Sequence, residues 1–210
     1  MTDWSAWHEG YADAGSDLSR RLAVVEHRVR TWADAAPAGP LRLISLCAGQ
    51  GHDVVGALAP HARRLDVTGL LVESDRGNVA VARREVRRAE LPGIAVVQGD
   101  AARLDTYRDA VPADLVLVCG VFGNISDRDV RRTIAALPSL VAAGATVVWT
   151  RHRRAPDLTG DIRLRFGASG FEELDFTSPA PDRFAVGTHR LARPPDAFSP
   201  DAAGLFTFTR

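Results

Sequence analysis

The chain contains no lysine, because all 26 residues counted as lysine or arginine are arginine. This absence excludes the lysine of a P-loop, a Schiff-base lysine and the strand lysine of protein kinases. Cysteine is also scarce: Cys47 and Cys119 are the two in the sequence, so neither a disulfide framework nor a CxxC motif is available. We therefore expect a reducing, cytoplasmic location.

Other absences limit the classes of binding partner that we expect. No apolar run approaches the ~18 residues needed to cross a membrane, and the start, MTDWSAWHEGYADAG, lacks the basic and apolar blocks of a signal peptide. A net charge of zero argues against binding to nucleic acid mainly through phosphates. The six histidines show no HxH or HExxH spacing, so no metal is expected. These absences predict neither a nucleic-acid nor a membrane partner, and we expect a monomer or homodimer.

Hydrophobic patterning is what the chain does have. Between residues 41 and 151, Val/Ile/Leu-rich runs alternate with amphipathic stretches, which predicts five parallel strands covered by helices on both faces. A helix near residues 161–168 then precedes FEELDFTS and RFAVGTHRLA, which indicate an antiparallel hairpin at the sheet's edge. We expect Ser126 or Asp127 to cap the helix after the fourth strand, and Gly144 to end the connection that follows.

The two ends of the chain differ from this alternating region. Spacings of three and four residues predict one face of a helix formed by Leu18, Leu22, Val25, Val29 and Trp32. We predict an N-terminal helical lid or cap over residues 1–36, a main domain over 37–192 and an irregular C-terminal arm over 193–210. The start is rich in aromatic side chains, which would form either a lid over a ligand or a hydrophobic latch onto the core.

The turn after the first predicted strand, in LRLISLCAGQGHD, carries Gly49 and Gly51. An NAD-binding turn of the form GxGxxG would need a third glycine, which is missing. Glu73 ends the second strand, where its two oxygens can accept hydrogen bonds from both hydroxyls of a ribose. Asp100 ends the third strand, where it can accept from an adenine amino group. These marks favour an adenosyl ligand without a pyrophosphate.

From about residue 41 to residue 192, the chain resembles the class I S-adenosylmethionine-dependent methyltransferases. ISLCAGQG lies on their glycine-rich motif, with Ser45 in place of the acid and Cys47 in place of the first glycine. LVESD, QGDA and ADLVLVCG match the later motifs in order, and LCAGQGHD, WTR and WxxWHxxY look like bacterial members that act on small molecules. The resemblance implies an α/β, Rossmann-like, doubly wound, mostly parallel seven-stranded sheet with an antiparallel C-terminal hairpin strand and helices on both faces.

The resemblance also implies a cofactor, S-adenosylmethionine, and a set of site residues. Those assigned to the cofactor are Tyr11, Cys47, Ala48, Gly49, Gly51, Glu73, Ser74, Asp100, Ala101, Cys119 and Gly120. Substrate is expected over the carboxyl ends of strands four and five, and the residues assigned to it are Trp4, Trp7, Phe122, Asn124, Trp149 and Arg151. His8 and His152 are candidate general bases.

The implied activity is in-line methyl transfer to a small metabolite. CGVFGN replaces the [DNS]-PP-[FYW] motif of enzymes that methylate amino groups of bases or glutamine, which counts against a nucleic-acid substrate. Two alternatives stay open at this point. One is a methyltransferase of RNA or protein, and the other is an S-adenosylmethionine-binding protein without catalysis.

Overall fold

The computed structural model describes residue 13, residues 15–181 and residues 183–209. In chain order the helices and strands are α1 (Asp17–Ala35), β1 (Leu41–Leu46), α2 (His52–Leu58), β2 (Val67–Glu73), α3 (Arg76–Arg88), β3 (Ile94–Gln98), β4 (Ala113–Val118), α4 (Asp127–Ala136), β5 (Val141–His152), α5 (Thr159–Ala168), β6 (Phe171–Thr177) and β7 (Phe184–Leu191). Short 3-10 helices occupy Leu104–Tyr107 and Leu137–Ser139. Among the described residues, none of the helices has the length and apolar character required to span a membrane.

The seven strands form one sheet in the order β3-β2-β1-β4-β5-β7-β6. β7 runs antiparallel to both of its neighbours, and the other adjacent pairs are parallel. The chain builds outward from β1 to β3 and then returns to place β4 on the other side of β1. The sheet therefore has its topological switch point between β1 and β4, where the loops leaving the strands diverge. The predicted fold class is confirmed.

Each face of the sheet has its own hydrophobic core. On one face, α1, α2 and α3 pack against the strands, and α1 contributes Val25, Val29 and Trp32. On the other face, α4 and α5 pack against the strands and contribute Ile134 and Phe166 to the core. The central strands carry apolar side chains on both sides because both faces are covered. α1 is thus bound to the sheet through the buried half of its predicted apolar stripe.

Two local expectations about turns have opposite outcomes. Ser126 caps α4, and its hydroxyl accepts a hydrogen bond from the Asp129 N–H at 3.1 Å, which decides between the two predicted caps. The expectation for Gly144 is wrong, because this residue lies inside β5 with a φ of 75°. The pairing of β4 with β5 shifts register between Ala113 and Leu115. A left-handed glycine can belong to a strand irregularity as well as to a helix end.

The C-terminal residues follow an irregular path but are firmly attached. Leu205 is fully buried, and its carbonyl accepts hydrogen bonds from the side chains of Arg132 and Thr133, each at 3.0 Å. Further along, the Thr209 N–H donates to the carbonyl of Asn124 at 2.9 Å. These contacts carry the end of the chain across α4 to the loop that follows β4.

Candidate functional site

A cavity opens at the carboxyl edge of the sheet, beside the switch point between β1 and β4. Eight of the residues predicted from the sequence line it: Cys47, Ala48, Gly49, Glu73, Ser74, Cys119, Gly120 and Asn124. Nine further residues complete the described lining, namely Arg21, Leu22, Val25, Gln50, His52, Asp53, Asn78, Thr150 and Phe208. The site is therefore formed by the loops after β1, β2 and β4, by one face of α1 and by the C-terminal segment.

The loop after β1 has an unusual backbone. Cys47, Gly49 and Gly51 have φ values of 52°, 56° and 73°. This left-handed conformation suits glycine but costs a residue with a Cβ about 1–2 kcal/mol, so Cys47 holds a strained position where the family motif has glycine. A Cβ on Gly51 would also lie 3.1 Å from Leu71 Cδ2. Gly49 lines the cavity, whereas Gly51, which was also assigned to the cofactor, packs against the core and is not among the described lining residues.

Glu73 is the most firmly held acid of the site. Its side chain is 8% exposed. Oε2 accepts a hydrogen bond from the Gly49 N–H at 2.8 Å, and Oε1 accepts from the Asp75 N–H at 2.8 Å. A carboxylate has about four lone-pair positions, so these two bonds fix its orientation and leave acceptor capacity. Glu73 thus joins the loop after β1 to the loop after β2 at the cavity wall.

The acid predicted at the third strand lies differently. Asp100 is exposed and uses Oδ1 to accept from the Ala102 N–H at 2.8 Å. Ala101 is buried, and its carbonyl accepts from the Tyr107 hydroxyl at 2.6 Å. Neither Asp100 nor Ala101 is among the lining residues, although the charge of Asp100 acts on the thiol of Cys47. A contact between Asp100 and adenine stays a prediction.

Both cysteines of the chain line the cavity as neutral thiols. Burial, with the charges of Glu73 and Asp100 adding to it, raises the pKa of Cys47 far above its usual range. Burial also raises the pKa of Cys119, and the charge of Asp53 acts in the same direction. Because the thiolate is the reactive form of cysteine, neither side chain is poised as a nucleophile.

Arg21 and Asp53 place opposite charges on the lining. Asp53 lies in the first turn of α2, and its Oδ1 accepts from the Val54 N–H at 2.8 Å. Burial raises the pKa of Asp53 to about 6 against the opposing effect of that hydrogen bond, with the charge of Glu26 raising it and that of Arg21 lowering it. The sequence analysis missed this pair. A signal did exist for Asp53, which follows the glycine loop at the start of a helix.

A polar cluster joins α2 to α3 at the side of the cavity. The side-chain amide of Gln50 donates to Asn78 Oδ1 at 3.2 Å, and His52 Nε2 lies 3.1 Å from Gln50 Oε1. Burial lowers the pKa of His52, so its imidazole is neutral near pH 7. Within the described part of the chain, no group of three or more His, Cys, Asp or Glu side chains could hold a metal ion.

The side formed by β4 and β5 is built around another left-handed glycine. Gly120 has a φ of 73°, and its N–H donates to Thr150 Oγ1 at 2.9 Å. The side chain of Asn124 donates to the Gly120 carbonyl at 2.7 Å. Phe208 closes this side through its β-bridge with Ile125. The residue from β5 that reaches the cavity is therefore Thr150.

Two of the residues predicted for the substrate lie in the core instead, which corrects that expectation. Phe122 and Trp149 are both 0% exposed, and their ring centroids are 6.1 Å apart. The indole of Trp149 donates to His189 Nδ1 at 3.2 Å on the side of the sheet that α5 covers. Successive residues of a strand point to opposite faces, so Thr150 and not Trp149 faces the cavity.

The next two predicted residues also lie outside the lining. Arg151 is 7% exposed and donates to the carbonyl of Phe122. His152 accepts from the Arg154 N–H at 3.3 Å through Nδ1. Its ring packs so closely on Gly123 that a Cβ there would come within 2.9 Å of His152 Cδ2. The structure does not bring either side chain to the cavity.

The remaining predicted residues of the N-terminal lid are Trp4, Trp7, His8 and Tyr11, and they lie outside the described residues. Their assignment to cofactor, substrate and general-base roles stays a prediction.

No protein-family model and no curated protein matches the sequence. Solved structures do. One is magnesium protoporphyrin IX methyltransferase (ChlM) from Synechocystis PCC 6803 with bound S-adenosylmethionine, at a TM-score of 0.69 and 15% identity over 90% of this chain and 91% of that one. Another is an O-methyltransferase family protein from Burkholderia thailandensis, at 0.67 and 15% identity; the match covers 90% of this chain, which spans 59% of that protein's length.

A third similar structure is the [4+2]-cyclase SpnF, with a TM-score of 0.61 and 15% identity over 81% of this chain and 82% of that one. At such identities the likeness establishes the fold. The chain has the class I S-adenosylmethionine-dependent methyltransferase fold. Since a cyclase shares it, the fold alone does not define the chemistry, which depends on the residues of the site.

Proposed function

We propose that the protein binds S-adenosylmethionine in this cavity and transfers its methyl group to a small molecule. The observation that carries the proposal is the carboxylate of Glu73, buried at the end of β2 and held by the N–H of Gly49 in the left-handed loop. Ribose hydroxyls donate to a fixed carboxylate through charge-assisted hydrogen bonds, which are stronger than neutral ones. The orientation of Glu73 is set before any ligand arrives.

The charged pair of the lining complements the other end of the same cofactor. An amino-acid group carries one ammonium and one carboxylate, and the cavity offers Asp53 and Arg21. Asp53 is ionised at a cost, because burial raises its pKa to about 6. A nearby cation relieves such a cost by favouring the charged form. We infer that Asp53 faces the ammonium and Arg21 the carboxylate.

The residues of this chain have a limited chemical task. The cofactor supplies an activated methyl carbon when bound, so the protein has to orient an acceptor and exclude water. Asn124 and Thr150 provide polar groups at the β4 and β5 edge, and Phe208 provides an apolar wall. Arg21 is the one arginine among the described lining residues. That lining suits a small acceptor better than a phosphate backbone.

The decisive experiment is calorimetry with three ligands: S-adenosylmethionine, its demethylated product S-adenosylhomocysteine, and NAD. We expect both adenosyl ligands to bind and NAD to give no response. Tight NAD binding with no response to the other two would overturn the proposal. Mass spectrometry of ligand carried through purification, followed by assay of small metabolites for methylated products, then separates an enzyme from a protein that binds the cofactor without turnover.

A further inference from the structure

A second cavity lies at the opposite end of the sheet, under the C-terminal half of α1. Its volume is about 570 Å³, within the range of about 300–1,000 Å³ that small-molecule sites occupy. Its apolar wall includes Trp32, Leu41 and Leu174, and Leu174 is 47% exposed at the rim. This cavity shares no lining residue with the site described above.

Two polar atoms of its wall have unmet hydrogen-bonding capacity. Arg28 Nε and Thr188 Oγ1 are buried, and neither has a hydrogen-bond partner within the described structure. Thr188 as a whole is 6% exposed. Buried polar groups in folded proteins are normally paired, so each such group needs an explanation. Both residues line the cavity, so a ligand whose binding rotates these two side chains toward it would pair both atoms.

Arg28 and Thr188 belong to the same part of the cavity wall. The guanidinium of Arg28 donates to the carboxylate of Asp175 and, at 2.8 Å, to Thr177 Oγ1. Asp175 is the cross-strand partner of Thr188 in the β6–β7 pair. Directly opposed residues of an antiparallel pair have Cβ atoms about 4.5–5.5 Å apart. Arg28 is therefore anchored over the part of the sheet where Thr188 lies.

The donors and charges of the wall define the ligand. Arg28 Nε–H can only donate, so it requires an acceptor, whereas a threonine hydroxyl can donate or accept. The arginines of the wall already have anionic partners, Arg28 with Asp175 and Arg190 with Glu172 at 3.0 Å. Asp114 adds a further negative charge. Among the described lining residues, an additional anion would have no unpaired cation to meet.

We propose that this cavity is a second binding site, for an uncharged small molecule with an apolar body and a carbonyl-type oxygen. The carbonyl accepts from Arg28 Nε–H and from the Thr188 hydroxyl, and the apolar body lies against Trp32 and Leu41. This proposal does not rest on the function proposed for the first cavity.

The test is a titration followed by ¹H–¹⁵N NMR, with benzamide and acetophenone as carbonyl probes and benzoate as the charged analogue. We expect the carbonyl probes to cause saturable shifts in residues 141–146 and 187–190, with the loop 47–51 unaffected. Benzoate should bind several-fold more weakly than benzamide. Failure of both carbonyl probes to give saturable shifts there would overturn the site, and benzoate binding as tightly as benzamide would overturn the proposed ligand class.

Variants make the assignment specific. Thr188→Val keeps the shape and removes the hydroxyl, so benzamide affinity should fall about three- to tenfold. Ser45→Ala is the matched control, because Ser45 Oγ is also buried without a described partner but does not line this cavity. Ala35→Trp, at an exposed helical position of the rim, should block the site without disturbing the sheet. Unchanged benzamide affinity in both Thr188→Val and Ala35→Trp would contradict the proposal.

Discussion

The two cavities described above lie at opposite ends of α1, and they are built differently. The first is shaped by backbone, through left-handed turns at Cys47, Gly49 and Gly51 and a carboxylate held by N–H groups. The second is shaped by side chains on strand faces and on α1, and two of these have polar atoms with no hydrogen-bond partner among the residues that the structure describes. The second is also the larger, at about 570 Å³ against about 160 Å³.

Under the proposed function, the smaller cavity holds the cofactor, so size alone does not identify such a site. In an open sheet with parallel strands, ligands bind at the carboxyl edge near the switch point, because the loops there diverge and leave a crevice. The smaller cavity has that position and a preorganised acid. The larger one has the features of a site that recognises a different, uncharged molecule.

The largest expected effect separates the two sites by charge. Glu73→Gln keeps the shape of the side chain but removes its charge, so S-adenosylmethionine affinity should fall by about 1.5–3 kcal/mol, tenfold or more. Benzamide binding should be unchanged. Calorimetry measures both, with Glu90→Gln, at an exposed acid that lines neither cavity, as control. An unchanged cofactor dissociation constant in folded Glu73→Gln would contradict the ribose contact.

A pair of glycine substitutions tests the role of backbone. Gly51 and Gly144 have nearly equal φ values, 73° and 75°, so alanine should cost each about 1–2 kcal/mol of folding stability. A Cβ at Gly144 meets nothing within 4 Å, whereas one at Gly51 crowds Leu71. Urea unfolding should show the larger loss for Gly51→Ala, and calorimetry should show weaker cofactor binding for that variant alone. Equal cofactor affinity in the two variants would mean that the loop backbone does not shape the first site.

Asp53→Asn should increase folding stability and weaken cofactor binding. The folded-state pKa of Asp53, about 6, lies above its usual 3.8, so the cost to folding stability grows between about pH 4 and pH 6 and is complete above pH 6. Below about pH 4 the group is protonated in both folded and unfolded chains, and the effect disappears. We expect the variant to gain about 1–2 kcal/mol in urea unfolding at pH 7.5 and nothing at pH 3.5.

The same variant should bind S-adenosylmethionine more weakly, because the ammonium loses its partner. Asp109→Asn, at an exposed acid, serves as control and should change neither property. If Asp53→Asn leaves stability at pH 7.5 unchanged, the carboxylate is not buried at a cost, and the inference about the ammonium fails with it.

The sequence predicts the sheet well because the pattern that buries a strand is local. ADLVLV is apolar throughout and forms β4, a central strand covered on both faces. Glu73 could be placed because strand ends in a parallel sheet meet at one edge. Trp149 could not, since a shift of one residue along β5 exchanges the core face for the cavity. The prediction that Gly144 ends the connection before β5 is wrong for a related reason, because a left-handed glycine is compatible with both a helix end and a strand irregularity.

The lining residues of the first site that the sequence did not predict come from parts of the chain that are distant in sequence and meet only in the folded structure. Arg21 belongs to α1. The apolar spacing of this helix predicts its buried face, but it does not predict which polar side chain lies beside a loop that is distant in sequence. Phe208 arrives through an irregular segment whose course is set by contacts of Leu205 with α4. Neither contact has a periodic signal in the sequence.

The smallest expected effect tests whether the two cavities act independently. α1 lines both, with Leu22 and Val25 at the first and Arg28 and Trp32 at the second. A packed helix moves as a unit, so a displacement of one end also displaces the other end. The first cavity has a volume of about 160 Å³, and α1 forms one of its walls, so we expect this helix to move outward when the cofactor enters. A ligand that fills the second cavity holds α1 in place and opposes that movement.

Saturating benzamide should therefore weaken S-adenosylmethionine binding by roughly two- to fivefold, up to about 1 kcal/mol. Coupling between binding sites is reciprocal, so saturating cofactor must weaken benzamide binding by the same factor. Calorimetry of each ligand with and without the other measures both factors. Ala35→Trp blocks the second cavity, and in that variant benzamide should leave cofactor affinity unchanged. Equal cofactor affinity with and without benzamide in the parent protein would show that α1 is rigid between two independent sites. A benzamide effect that persists in Ala35→Trp would instead show that the probe competes directly in the first cavity.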